Sequence, residues 1–253
     1  MKNPPYIVEY PIQLNDISVD AGIRSWKLFD YLQDAAGRHA DILGVGLRQL
    51  KESSLSWVLS RIRVRMDEFP EYGDTLRIKT YPSGFDRLFA YRQFELFSVA
   101  SGKKLGVAGS AWLTLNPENY RPVSPAKYMT GLPEWDYDGE IYFQGDSMGK
   151  IPTPDMEPGM VLSQRISCTQ IDFNRHLNNA FYAMFTEDYL GCVTGKLVRI
   201  KEIQINFNGS TECGDTLDCS GTVDENAHTF YVSGIQQLSG KNAFQALGSY
   251  RLI

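Results

Sequence analysis

Histidine is the scarcest chemically active residue here: three, at 39, 176 and 228, lie too far apart to suggest a metal cluster, so no metal is predicted. The four cysteines, at 168, 192, 213 and 219, all fall in the second half without a Cys-x-x-Cys spacing, which excludes the common zinc and redox motifs. Free thiols in a reducing compartment are expected. No run of about 18 apolar residues occurs, and Met1 to Tyr10 carries two prolines instead of the apolar core of a signal peptide. No membrane insertion is therefore expected, and the chain should remain in the cytoplasm. Positive charge is also short: 25 Lys and Arg against 30 Asp and Glu leave a net charge of −5, which argues against nucleic acid as partner.

What is abundant is apolar and aromatic. In 253 residues, 43% are hydrophobic, with 14 Tyr and 13 Phe, enough for two cores of ordinary domain size and for an apolar cavity. A repeated phrase favours two. Gly73-Asp74-Thr75-Leu76 returns as Gly214-Asp215-Thr216-Leu217, 214 − 73 = 141 residues later. Around each copy the order is the same: a strand, a long helix, then alternating strands. Strand-like runs lie near 6–14, 60–66, 75–81, 88–98 and 105–115 in the first half, and near 161–168, 197–207, 215–223, 228–237 and 243–252 in the second. The helices fall near 24–43 and 179–192. Between the halves, 116–159 holds seven of the twelve prolines and loses helical periodicity. The reading is an α+β chain with a first domain over 1–116, a surface connector over 117–159 and a second domain over 160–253.

The halves differ in polar content. Asp172-Phe173-Asn174-Arg175-His176-Leu177-Asn178-Asn179 precedes the second helix. Aligning the helix starts (174 − 20 = 154) sets Asp20 against Asn174 and Gly22 against His176, so the first half lacks the histidine. An Asn at a helix start is ordinarily a cap, and an Asp before it ordinarily a turn residue. Together with a histidine, whose imidazole can both give and take a proton, in one half only, they read as a catalytic group. Glu187 and Asp188 on the second helix are a weaker candidate, because Asp34 holds the matching place in the half without the histidine. His39 and His228 read as surface or satisfied core residues. Arg61, Arg63 and Arg65 share one strand face, with Arg77, Lys79, Arg199 and Lys201 on neighbouring runs, which reads first as a solvated sheet face and second as a candidate docking stripe for an acidic partner. Trp26, Phe29 and Leu32 on the first helix suit either an apolar slot or the core.

The Asp-x-Asn-x-His-x-Asn-Asn string at 172–179, Arg-Leu-Phe-Ala-Tyr-Arg at 87–92 and Trp112-Leu113-Thr114-Leu115 together resemble the acyl-acyl-carrier-protein thioesterase family. The likeness covers nearly the whole chain. It implies a tandem (double) hotdog fold, each half a long helix wrapped by a curved antiparallel sheet. It also implies hydrolysis of the thioester between a fatty acyl chain and acyl carrier protein, with no cofactor. By the same resemblance, Asp172, Asn174 and His176 match positions of the family's catalytic network. A family glutamate falls on Ser210 when counted from Phe207, a departure from the family's pattern; Glu212 lies two residues beyond, where a small shift or bulge would bring it into the role. Cys213 is an alternative nucleophile of papain type, so the base or nucleophile stays open among Asp172, Glu212 and Cys213.

A thioester is already activated, so its hydrolysis needs chiefly a positioned water or nucleophile and donors aimed at the oxyanion. A polar loop entering a helix offers both, since the helix N-terminus carries unpaired N–H groups and partial positive charge. Rival readings are an acyl-CoA thioesterase, a hotdog hydratase and a non-catalytic acyl-binding protein. A homodimer is expected from the strand edges.

Overall fold

The computed structural model describes residues 4–119, 121–127, 137, 139–155 and 159–253. Pro133, Pro158 and several further residues of the expected 117–159 connector, like Met1–Asn3, lie outside the described residues. The chain forms two compact units, Met1–Ile23 with Asp30–Met148 and Arg24–Phe29 with Gly149–Ile253.

The first unit is an antiparallel sheet in the order β1 (Tyr6–Pro11), β3 (Thr75–Phe85), β4 (Phe89–Ser98), β5 (Lys104–Leu115), β2 (Ser56–Met66), with the short β6 (Pro122–Val123) added to β5. Alternation builds β2: Ile62, Val64 and Met66 are buried, while the intervening arginines take the other face. Helix α1 (Ser25–Ile42) buries Leu32, Ala35, Ala36 and His39, the helical spacing read from the sequence. A second short helix, α2 (Leu47–Glu52), follows Gly46 and is too brief to show a period. Part of the proline-rich stretch packs on this unit, where Phe143 and Met148 complete a cluster with Tyr91, Val107 and Ala111.

The second unit has the sheet order β8 (Val198–Phe207), β11 (Asn242–Leu252), β10 (Thr229–Gln236), β9 (Thr216–Asp224), β7 (Val161–Arg165), again antiparallel. Its helix α3 (Ala180–Thr194) buries Tyr182, Ala183, Phe185, Thr186, Tyr189 and Leu190, and ends at Gly195 in the left-handed region that glycine tolerates. Buried hydroxyls on α3 find partners: Tyr189 donates to the Gly221 carbonyl at 3.0 Å and accepts from the Gly221 N–H at 2.9 Å. Residues 24–29 join this unit, with Trp26 stacked on Phe181 and the Ser25 hydroxyl on Glu187.

The repeated phrase has a physical reason. Gly73 and Gly214 have φ of +90° and +91°, a conformation costly for a side chain. Each glycine turns the chain so that the following aspartate's carbonyl meets an incoming strand: Ile12 N–H donates to Asp74 O, and Ile166 N–H to Asp215 O, both at 2.9 Å.

Candidate active site

The polar string forms a tight turn ahead of α3, and its backbone occurs twice in the molecule. In the second unit, Asp172 N–H donates to His176 O (2.8 Å) and Arg175 N–H to Asp172 O (3.0 Å), with Arg175 at φ +66°. In the first, Ser18 N–H donates to Gly22 O (2.9 Å) and Ala21 N–H to Ser18 O (3.0 Å), with Ala21 at φ +61°. Bridges Ile171–Leu177 and Ile17–Ile23 close the two turns alike. The left-handed residue is thus part of a shared scaffold, and the difference between the turns is carried by side chains.

Asp172, half-buried, uses Oδ1 to accept the N–H groups of Asn174 (2.8 Å) and His176 (3.3 Å). Asn174 is exposed and His176 half-buried. The turn is pinned to the loop after β8 by Leu177 N–H donating to Thr211 O at 2.8 Å. The bond joins the residue after His176 to the residue before Glu212, so it ties the two loops together. The equivalent pairing in the first unit, Ile23 N–H to Pro70 O at 3.0 Å, sets Gly22 opposite Glu71 in a β-bridge. A glutamate follows the accepting residue in both units, and the second unit adds a histidine at the matching place on its turn.

Glu212 is exposed, and its N–H donates to Asp215 Oδ2 at 2.9 Å, so the repeated aspartate shapes the loop that presents it. Ser210, where the family glutamate was counted, offers its carbonyl to Gln236 Nε2. Asn178 lies one residue before the capping position of α3, Asn179, and its Oδ1 accepts the Ala180 N–H at 2.9 Å. Sequence reading missed Thr211 and Tyr182. Thr211 is fully buried and accepts from the Tyr182 hydroxyl at 3.1 Å, which ties the loop to α3. Burial, with the charges of Asp172 and Asp215 adding, pushes Tyr182 up to about 12 despite its bond to Thr211, so it stays a donor. A small hydroxyl between Ser and Glu carries no sequence pattern that would mark it.

Two expectations are corrected. Cys168 and Cys213 are not free thiols but a disulfide, spanning a separation of 45 residues that no short motif reveals; Cys192 and Cys219 are free. While bonded, Cys213 has no thiolate to attack with. Cys219 is buried, which pushes its thiol up to about 12. The basic stripe is also largely engaged. Arg61 Nη1 donates to Met148 O (2.7 Å) and Arg63 Nη1 to Ser147 O (2.8 Å), their guanidinium groups over Phe89 and Phe143 at 4.8 Å each. Arg77 pairs with Glu9 and Lys79 with Glu95, and Arg199 is buried. Carbonyls of the proline-rich stretch, with the Phe143 ring, take the two β2 arginines that the strand pattern left pointing outward.

His39 is a satisfied core residue, its Nδ1 at 3.0 Å from Arg92 Nη1. Phe29 and Leu32 are core as well. Among the described residues, no cluster of His, Cys, Asp and Glu is arranged to hold a metal ion, and no helix is long and apolar enough to cross a membrane.

Comparison with known proteins agrees with this layout. Residues 5–129 match the acyl-ACP thioesterase N-terminal domain and residues 157–251 the acyl-ACP thioesterase C-terminal domain. The palmitoyl-acyl carrier protein thioesterase of Arabidopsis thaliana is 27% identical over 223 residues, 81% of this chain and 51% of its own length. The oleoyl-acyl carrier protein thioesterase of Coriandrum sativum is 18% identical over 90% of this chain and 66% of its own length. The chain thus spans about half to two thirds of these curated relatives. Among solved structures, an acyl-ACP thioesterase from Bacteroides thetaiotaomicron superposes with a TM-score of 0.83 at 23% identity, covering 97% of each chain. The 12:0-ACP thioesterase from Umbellularia californica also reaches 0.83, at 16% identity over 98% of this chain and 97% of its own. These likenesses show a hotdog fold. With family matches across both halves, the chain belongs to the acyl-ACP thioesterase family.

Proposed function

We propose that this chain hydrolyses the thioester joining a fatty acyl group to acyl carrier protein, releasing the free fatty acid. The observation that carries the reading is the Leu177–Thr211 hydrogen bond, which ties the loop carrying Glu212 to the turn carrying His176 and held by Asp172. Glu212 takes the proton of an attacking water as the water oxygen bonds to the acyl carbon. His176 donates a proton to the sulfur as the carbon–sulfur bond breaks. Asn174, exposed at the mouth of the turn, donates to the carbonyl oxygen as charge builds there. Asp172 keeps the turn in shape by accepting two of its N–H groups. No step calls for a cofactor.

The duplicated turn, with the same backbone hydrogen bonds at matching places in both units, supports a tandem hotdog in which the first unit has the scaffold without the histidine. A carrier protein as acyl donor, in preference to CoA, is supported by the matched family and by the likeness to palmitoyl- and oleoyl-acyl carrier protein thioesterases of plants.

The test is thiol release from a panel of acyl carrier protein thioesters and the matching CoA thioesters, with wild type and His176→Ala side by side. Carrier-selective release that falls on the order of 100-fold in the variant is expected. Faster release from CoA thioesters moves the assignment to acyl-CoA hydrolysis, and no release from either rejects hydrolysis.

A further inference from the structure

We infer that the Cys168–Cys213 pair is a thiol–disulfide exchange site that governs the polar turn of the second unit, the disulfide form being the active one; this rests on the hydrolase reading above. The carrying observation is the duplicated turn. Under the offsets of 154 and 141, Cys168 and Cys213 correspond to Leu14 and Tyr72 in the first unit, both exposed and without a covalent link. Yet the first unit makes the same clasp: Ile12 N–H to Asp74 O at 2.9 Å and Ile23 N–H to Pro70 O at 3.0 Å, matching Ile166 to Asp215 at 2.9 Å and Leu177 to Thr211 at 2.8 Å. The disulfide is therefore not needed to build the turn. It occurs in the unit that carries His176.

Its position is specific. Cys213 is the residue after Glu212, in the loop that ends at Asp215. Cys168 begins the short helical turn that ends at Gln170, whose carbonyl accepts the Asn178 N–H at 3.0 Å. The bond thus ties the peptide leading into the Asp172 turn to the peptide carrying Glu212. Both cysteines are exposed, within reach of a small dithiol. One thiolate of the dithiol attacks a protein sulfur and the sulfur–sulfur bond breaks, releasing the other cysteine as a thiolate that takes a proton from water. The second thiolate of the dithiol then attacks the mixed disulfide. Two electrons pass from dithiol to protein, leaving two cysteine thiols and an oxidised dithiol. In the reduced form the backbone clasp alone holds the Glu212 loop to the His176 turn, and a displacement of about 1 Å between two such groups is enough to cost on the order of 100-fold in rate.

The experiment measures fatty acid released from acyl carrier protein by mass spectrometry, using the full chain oxidised, reduced with dithiothreitol and reoxidised, and Cys168→Ser. A kcat lower by about tenfold or more on reduction, with KM changed less than about twofold and recovery on reoxidation, is expected. Cys168→Ser should sit at the reduced rate and ignore dithiothreitol. Equal rates in both redox states overturn the inference while leaving the hydrolase reading intact. So does a rise on reduction, which gives the freed Cys213 thiol the nucleophile's role. If neither form hydrolyses the thioester, the hydrolase reading fails. Amide exchange at Leu177 and Asn178 then decides the clamp by itself: faster exchange on reduction supports it, and unchanged exchange rejects it.

Discussion

Asp172→Ser installs at the second turn the residue that the first turn already uses at the same place, Ser18. The backbone should survive, because Ser18 supports an equivalent turn, with hydrogen bonds of 2.9 and 3.0 Å where Asp172 has 2.8 and 3.0 Å. What disappears is a carboxylate accepting the N–H groups of Asn174 at 2.8 Å and His176 at 3.3 Å. Hydrogen bonds to a charged acceptor contribute about 1.5–3 kcal/mol each when shielded from water. Asp172 is only half-buried and a serine hydroxyl replaces part of the bonding, so the stability loss should be about 1 kcal/mol. The rate should suffer more, because freeing the backbone of His176 and Asn174 loosens two proposed catalytic groups together, for a loss on the order of 100-fold in kcat. Urea unfolding gives the first quantity and initial rates of thioester hydrolysis the second. A variant that keeps its rate within about threefold would refute the role of Asp172. So would one whose activity falls only in step with the fraction unfolded.

Gly214→Ala and Gly73→Ala form a second twin comparison. Both glycines sit at a φ near +90° with nothing within 4 Å of an added Cβ, so each should cost about 1–2 kcal/mol by backbone strain alone. Thermal unfolding should shift similarly in the two, while only Gly214→Ala should also lower the hydrolysis rate. His39 makes a prediction about pH. Burial first, and the neighbouring Arg92 second, lower its pKa from 6.5 to about 4 in the folded chain. Between those values the unfolded chain binds a proton that the folded chain does not, so stability is full above pH 6.5 and falls as pH drops towards about 4. The slope contributed is about 1.4 kcal/mol per pH unit. His39→Gln, followed by urea unfolding across that window, should flatten the dependence by that amount; an unchanged slope rejects the assignment.

Local pattern was enough to find most elements. The alternation through Ser60–Met66 and the helical spacing through Trp26–Leu43 placed β2 and α1, because side-chain periodicity follows directly from backbone geometry. The repeated Gly-Asp-Thr-Leu phrase pointed to duplication because a left-handed turn requires a residue without a side chain, and that requirement recurs wherever the turn does. The same local reasoning missed α2, whose six residues are too few to establish a period.

The sequence by itself determined which residues are candidates for the chemistry: the string Asp172 to His176 stands out by type and by its lack of a counterpart. Tertiary structure decided what those residues face. Leu177 N–H meets Thr211 O, and so the Glu212 loop lies on the His176 turn, because packing folds the loop after β8 back against the turn, which spacing along the chain does not reveal. The disulfide joins cysteines 45 residues apart for the same reason. Whether the arginines of β2 were free to bind a partner depended on where a proline-rich segment settled, and that segment has no period of its own to say so.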